Sequence, residues 1–364
     1  MRLIRTACVL SVFCMGAAVA CGGDDDGEGG PKAGSNAGGS AGAGGEGAVT
    51  SLGGASGDAG AAGSGGKGEL EALTIRFKAT VGDAEFACGQ AYEGQGTADT
   101  TVEPQDLRFY VEQVRLIDGA GNEVPVVLDE RAPFQSKEVA LLDFEDGSAA
   151  CSNGNAELNS TITGRVPPGN YVGIVFSTAV PEELNHADPT TLPAPLQAGG
   201  LSWGWLFGYR FLVAEMVAEP RHGGEGGVGG QGAGGGQGAG EGGTGHAGGA
   251  GGAGADPGHG PASPGGLFHL GSIECTNSDE PDFNAPPTTA CAKPFRNEIR
   301  LEGFNPTDGV IVADVGALFS GIDLSSENLC HSFSGTACPI LFEAVGLDYE
   351  TGDRTDGQTF FRVE

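Results

Sequence analysis

Apolar and polar residues alternate with a period of two through most of the chain, and Pro or Gly punctuates the runs. The clearest stretches are residues 73–81, 107–117, 171–177, 208–217, 267–272 and 298–301. Each reads as a strand with one buried face. Helical periodicity is confined to short segments at 314–319 and 340–345, too short to change the class. The pattern predicts an all-β, mainly antiparallel fold, a single β-sandwich or irregular barrel-like domain with long loops.

Two glycine-rich tracts interrupt that pattern. Of 69 glycines, 20 lie between residues 22 and 68 and 24 lie between 221 and 266, interleaved with Ala, Ser, Gln and Glu. Such segments have too little apolar surface to offset chain entropy and are expected to be flexible coil. The first reads as a tether over 21–69, with a reach of roughly 40 Å at about 5–6 Å times the square root of its length. The second, 221–266, reads as an insertion into one loop of a folded domain spanning 70–364. Lengthening a short loop that far costs only ~2 kcal/mol of closure entropy, so the strands on either side are expected to pair. The alternative is a linker between two smaller domains.

The chain begins with Arg2 and Arg5, an apolar run over 7–20, and Ala18-Val19-Ala20-Cys21. Residues 1–20 have the layout of an export signal. The small residues ending in cysteine resemble a bacterial lipoprotein cleavage site, with Cys21 as the lipidated residue. The expected location is therefore the cell envelope, anchored at the periplasmic face of the outer membrane or at the cell surface. The membrane would be touched through that lipid alone. With 48 acidic against 18 basic residues and a formal charge of −30, the protein would repel nucleic acid and anionic lipid.

Cys8 and Cys14 fall in the signal and Cys21 is reserved for lipid, which leaves Cys88, Cys151, Cys275, Cys291, Cys330 and Cys338. In an oxidising compartment an even set reads first as disulfides, although sequence does not choose the connectivity. The expected pairs are the local ones, Cys275 with Cys291 and Cys330 with Cys338, which leaves Cys88 with Cys151. No two of these cysteines have the short gap typical of zinc ligands.

Candidate chemistry is sparse. The two tryptophans form one unit, Trp203-Gly204-Trp205. Alternation would put both indoles on one face of an extended segment, with Gly204 leaving room for another group at the backbone. By spacing alone they read as core anchors. Of six histidines, His222, His246 and His259 fall in the second glycine tract. His186 sits in an Asn185-His186-Ala187-Asp188-Pro189 turn whose polar neighbours could orient its ring. His269 alternates with Leu267 and Gly271, and His331 follows Cys330. No nucleophile elbow, zincin helix, phosphate loop or paired catalytic carboxylate motif occurs, so the protein is expected not to be an enzyme.

Several segments, in order, together resemble one family: Phe109-Tyr110-Val111 with Val114-Arg115-Leu116, Leu142-Asp143-Phe144-Glu145, the Asn185-His186-Ala187-Asp188-Pro189 turn, residues 201–211 with the paired tryptophans, His269-Leu270-Gly271-Ser272 before Cys275, and the late cysteine pair. The chain resembles the MbnP-like proteins, the four-Cys proteins of the metallo-mystery pair system. That resemblance implies an exported protein that binds a single copper ion, as Cu(I), and acts in copper homeostasis. It also implies that the first tryptophan of the Trp-x-Trp motif, here Trp203, is oxidised to kynurenine by a di-haem partner of the cytochrome c peroxidase class. His186 and His269 become the candidate copper ligands beside Trp203, Trp205 a relay, and Asn185 and Asp188 outer partners. Opening the indole frees an aromatic amine that can join two imidazoles around such an ion. The competing reading is a structural or adhesive surface lipoprotein without metal. Two departures from the family pattern stand out: His331 after Cys330, which raises an additional ligand, and the long insertion between Trp203 and His269.

Overall fold

A computed structural model describes residues 69–219 and 263–364. The signal, Cys21, nearly all of the tether, and most of the second glycine tract with His222, His246 and His259 lie outside those residues. The described chain is an all-β, sandwich-like fold of two mixed sheets with a few short helices. The larger sheet runs in the order Asn297–Glu302, Tyr171–Thr178, Thr100–Asp118, Leu212–Ala218, Gly265–Leu270, Glu327–Cys330. Three short strands, Tyr92–Gln95, Glu123–Pro125 and Val139–Asp143, also pair with Thr100–Asp118. The smaller sheet runs Phe361–Val363, Val310–Asp314, Glu71–Val81, Thr161–Val166, Val127–Leu128, with Ala84–Glu85 paired to Glu71–Val81. Pairing is antiparallel except between Glu71–Val81 and Val310–Asp314 and between Gly265–Leu270 and Glu327–Cys330.

The 19-residue strand Thr100–Asp118 shows how alternation builds the core. Leu107 and Phe109 point between the sheets, where Phe109 meets Phe77 of the smaller sheet at 5.9 Å and Phe361 at 5.5 Å between ring centroids. Phe176 closes the same cluster against Phe77 and Phe361. Asp106, Arg108 and Tyr110 take the opposite face of the strand. They too are buried, because the connecting loops lie over that face. Tyr110 Oη donates to Pro195 O (3.0 Å) and Tyr209 Oη to Leu196 O (2.6 Å), tying the loop before the tryptophans to the sheet.

Both short helical segments form. Asp314 caps Val315–Phe319 by accepting from Ala317 N at 3.1 Å, and Cys338–Val345 stops at Gly346 with φ +86°. The three disulfides are Cys88–Cys151, Cys275–Cys291 and Cys330–Cys338. The strands flanking the second glycine tract pair from Leu212↔Leu270 to Val217↔Gly265. Composition alone extends the tract to Gly266, yet the strand begins at Gly265. Gly266 is set by packing, since a Cβ there would lie 2.8 Å from Phe319 Cε1. Among the described residues no helix is long and apolar enough to cross a membrane.

Candidate functional site

Residues 201–211 are not one extended run. Ser202 bridges Tyr209, Trp203 N–H donates to Gly208 O (2.9 Å), and Gly208 N–H donates to Gly204 O (2.8 Å). These bonds make a tight hairpin loop. Gly204 adopts φ +98° and Gly208 φ +72°, a conformation that removes the alternation expected to place both indoles on one face. Gly204 is therefore required by its turn, since a Cβ there would meet nothing closer than Phe283 O at 3.7 Å. The close approach is at Gly271, where a Cβ would fall 2.4 Å from Trp203 Cζ3 and 2.7 Å from Tyr209 O. The His269-Leu270-Gly271 motif thus provides both a histidine and a flat seat for the Trp203 ring.

Trp203 lies 6.3 Å from His269 and 5.6 Å from Phe333 between centroids, and the Arg210 guanidinium stands 5.7 Å over its ring. His269 is fully buried. Its Nε2 lies 2.6 Å from Glu215 Oε1, so Nε2–H donates to the carboxylate and Nδ1 faces the other way. There Nδ1 meets Nδ1 of His331 at 3.1 Å. Strand pairing explains the meeting: Phe268 pairs with Cys330 in the parallel ladder, so the residue after each stands beside the other. Ser332 fixes the register, with Oγ donating to His269 O (2.8 Å) and accepting from Gly271 N–H (3.0 Å). The Cys330–Cys338 disulfide holds the same loop from behind.

His186 is in a different place. Its Nδ1–H donates to Trp205 O (3.0 Å), its Nε2 accepts from Asn185 Nδ2 (2.9 Å), and Nε2 lies 3.4 Å from Cys291 Sγ. Among the described residues, the partners of its ring are Trp205, Asn185 and Cys291 rather than His269. Burial pushes its pKa below the usual range, against the pull of the Trp205 carbonyl. Asn185 also accepts from Tyr209 N–H (2.8 Å), and its side chain occupies the space where Gly208 lacks a Cβ. Asp188 is exposed and caps the Pro189–Thr191 turn, accepting from Thr190 N–H and Oγ1–H at 2.9 and 2.8 Å. Trp205 supplies its backbone carbonyl to His186. The structure therefore brings Trp203 and His269 together with His331, while His186 holds the Trp205 carbonyl and Asn185 holds the Tyr209 N–H.

Glu215 extends the site inward. It pairs across the sheet with Asp106, and Arg108 two residues on pairs with Asp143, so three strands carry a buried polar stripe. Asp106 and Arg108 form a two-pronged ion pair at 2.8 and 2.5 Å, and Arg108 Nη1 donates to Gly199 O (3.0 Å) at the start of the tryptophan loop. Burial pushes Asp106 up to about 7 against the Arg108 guanidinium, and the charges of Glu215 and Glu145 add to the rise. Burial also lifts Asp143 to about 6. Sequence reading left Glu215 and Ser332 out of the site and gave His331 only a marginal place. The available signals were an acid inside the apolar strand 212–218 and a histidine locked beside a cysteine.

The fold is similar to the solved structure of MbnP from Methylosinus trichosporium, with a TM-score of 0.59 over 81% of this chain and 98% of that one. At 23% identity that likeness speaks to the fold. No curated protein matches the chain. The model of the MbnP family matches residues 70–332, which takes in every strand of the larger sheet, the tryptophan loop, His269 and His331. The chain therefore belongs to the MbnP family.

Proposed function

We propose that this protein binds one copper ion at the His269–His331 pair after Trp203 has been oxidised to kynurenine. The observation that carries the reading is the convergence of two imidazole Nδ1 atoms, 3.1 Å apart, beside the Trp203 ring. The donor set suits copper. Imidazole nitrogen is a good ligand for it, and the arylamine of kynurenine adds a donor that an indole lacks. The cysteines offer no thiolates while they are disulfide-bonded. Glu215 on His269 Nε2 is the outer carboxylate that sets the tautomer and raises the basicity of a ligating histidine. Bound there, copper would contribute a soft, redox-capable cation. His186 then serves the loop, holding the Trp205 carbonyl, rather than the ion.

The wider reading keeps the protein a non-enzymatic lipoprotein of the cell envelope, anchored through Cys21 and matured by a di-haem redox partner. Its support is the layout of residues 1–21 and the family resemblance. Mass spectrometry of protein expressed with such a partner tests the modification. The peptide holding Trp203 should gain one oxygen and lose one carbon, and a copper titration should saturate at one equivalent. Unmodified Trp203 in cells that make the partner, together with no copper uptake, would favour an adhesive or structural role.

A further inference from the structure

The Cys275–Cys291 disulfide has a histidine set against it, and the two cysteines are held side by side by more than their sulfur bond. Ile273 N–H donates to Lys293 O (2.9 Å), Ala292 N–H to Glu274 O (3.2 Å) and Thr288 N–H to Thr276 O (3.0 Å), so the backbone on both sides is laddered. Asn277 braces the intervening loop, donating to Asp282 O and Ala285 O at 2.8 and 3.0 Å. His186 donates through Nδ1 to Trp205 O, which makes Nε2 the lone-pair nitrogen; that atom accepts from Asn185 Nδ2 at 2.9 Å and lies 3.4 Å from Cys291 Sγ, so a cation bound there takes the place of the Asn185 amide. The ligand atoms of His186, Cys275 and Cys291 all lie within 4.8 Å of one another. Among the described residues, no other group of three or more His, Cys, Asp or Glu side chains does so. A cavity of about 270 Å³, lined by His186, Ser272, Thr289 and Cys291 among others, reaches this corner.

We propose that reduction of Cys275–Cys291 converts this corner into a two-thiolate, one-imidazole site for a soft or borderline cation, separate from the His269–His331 pair. A dithiol reductant supplies two electrons and two protons. The sulfur–sulfur bond breaks, two thiols form, and the reductant leaves as its own disulfide. The incoming cation then displaces both thiol protons. Two cysteine sulfurs and one imidazole nitrogen with an open fourth position form a recurrent donor set for zinc-like ions. The Trp205 carbonyl on Nδ1 is the outer hydrogen bond that a metal-bound histidine keeps. While the disulfide is intact the site is closed, because the thiolates do not exist. The two states tie the redox condition of the envelope to the turn that carries Trp205.

The test uses the purified full chain and cadmium(II) as the probe. A trialkylphosphine is added until thiol alkylation mapped by mass spectrometry reports Cys275 and Cys291 as free. Cadmium(II) is then titrated while the ultraviolet thiolate-to-cadmium band is recorded. The expected result is a band saturating near one equivalent, absent from the oxidised protein and from a Cys275→Ser/Cys291→Ser variant. His186→Ala should weaken binding by at least roughly 10-fold; if it does not fold, His186→Gln serves instead. Cation held at His269 and His331 gives no thiolate band, so the two sites are told apart. No band in the reduced protein, equal affinity without His186, or a disulfide that opens only with loss of near-ultraviolet circular dichroism would each overturn the proposal.

Discussion

The Nδ1 atoms of His269 and His331 face each other at 3.1 Å across 62 positions of sequence. Parallel pairing of Gly265–Leu270 with Glu327–Cys330 places them so, and Ser332 locks the step. If this pair holds the copper ion, His269→Ala or His331→Ala should weaken copper(I) binding by more than the roughly 10- to 100-fold typical of losing an outer partner. His186→Ala should leave that affinity nearly unchanged. Competition against a copper(I) chelator measures both, and an unaltered affinity in the His331 variant would remove this residue from the site.

Gly271→Ala places a methyl group 2.4 Å from Trp203 Cζ3 and 2.7 Å from a backbone oxygen that cannot swing aside. The indole must leave its seat. We expect a stability loss of roughly 1–3 kcal/mol, typical of overpacking, and an altered emission spectrum in a protein with two tryptophans. Gly199→Ala, where the added carbon meets nothing within 4 Å, is the matched control. Denaturant midpoints and fluorescence report both variants.

Glu215→Gln keeps the shape of the buried acceptor on His269 but removes its charge. The imidazole becomes less basic, and affinity for copper should fall about 10- to 100-fold while circular dichroism stays that of the parent. Isothermal titration separates the two readouts. A Glu215→Gln protein that binds as tightly as the parent would show that the carboxylate only fills space.

Asp143 carries a pH signature. Its folded pKa, raised by burial to about 6, lies above the ordinary 3.8. A raised carboxylate favours the fold when protonated, so its contribution is complete below about pH 4 and lost as pH rises through about 6. Relative to Asp143→Asn, the parent should therefore gain roughly 2–3 kcal/mol between pH 7 and pH 4. His186, with its lowered pKa, acts in the opposite sense, losing stability as pH falls below its unfolded value. The difference between parent and variant isolates Asp143, and urea titrations at several pH values measure it.

The strands were legible in the sequence because burial on one face leaves a period-two trace, as in Glu71–Val81 and Asn297–Glu302. The disulfide pairs followed from short spacing and the remaining two cysteines. The site was legible only in part. Alternation carries no information about a residue with positive φ, so the bend at Gly204 was invisible and the two indoles were placed on one face. Nor does any local pattern announce that residue 331 will lie beside residue 269, since parallel pairing is non-local. Glu215 looked like an ordinary polar position in a strand until cross-strand register placed it two residues along from the partner of His269.

Ala218 N–H donates to Pro264 O at 2.9 Å, so the chain leaves and re-enters the larger sheet within one hydrogen bond. A reporter domain joined at Ala218 and Pro264 would meet the sheet at two points one hydrogen bond apart. The strand that resumes at Gly265 carries His269. A guest fused at this corner would sit at the other end of that strand from the Trp203 seat, and the corner offers an address from which to watch that site.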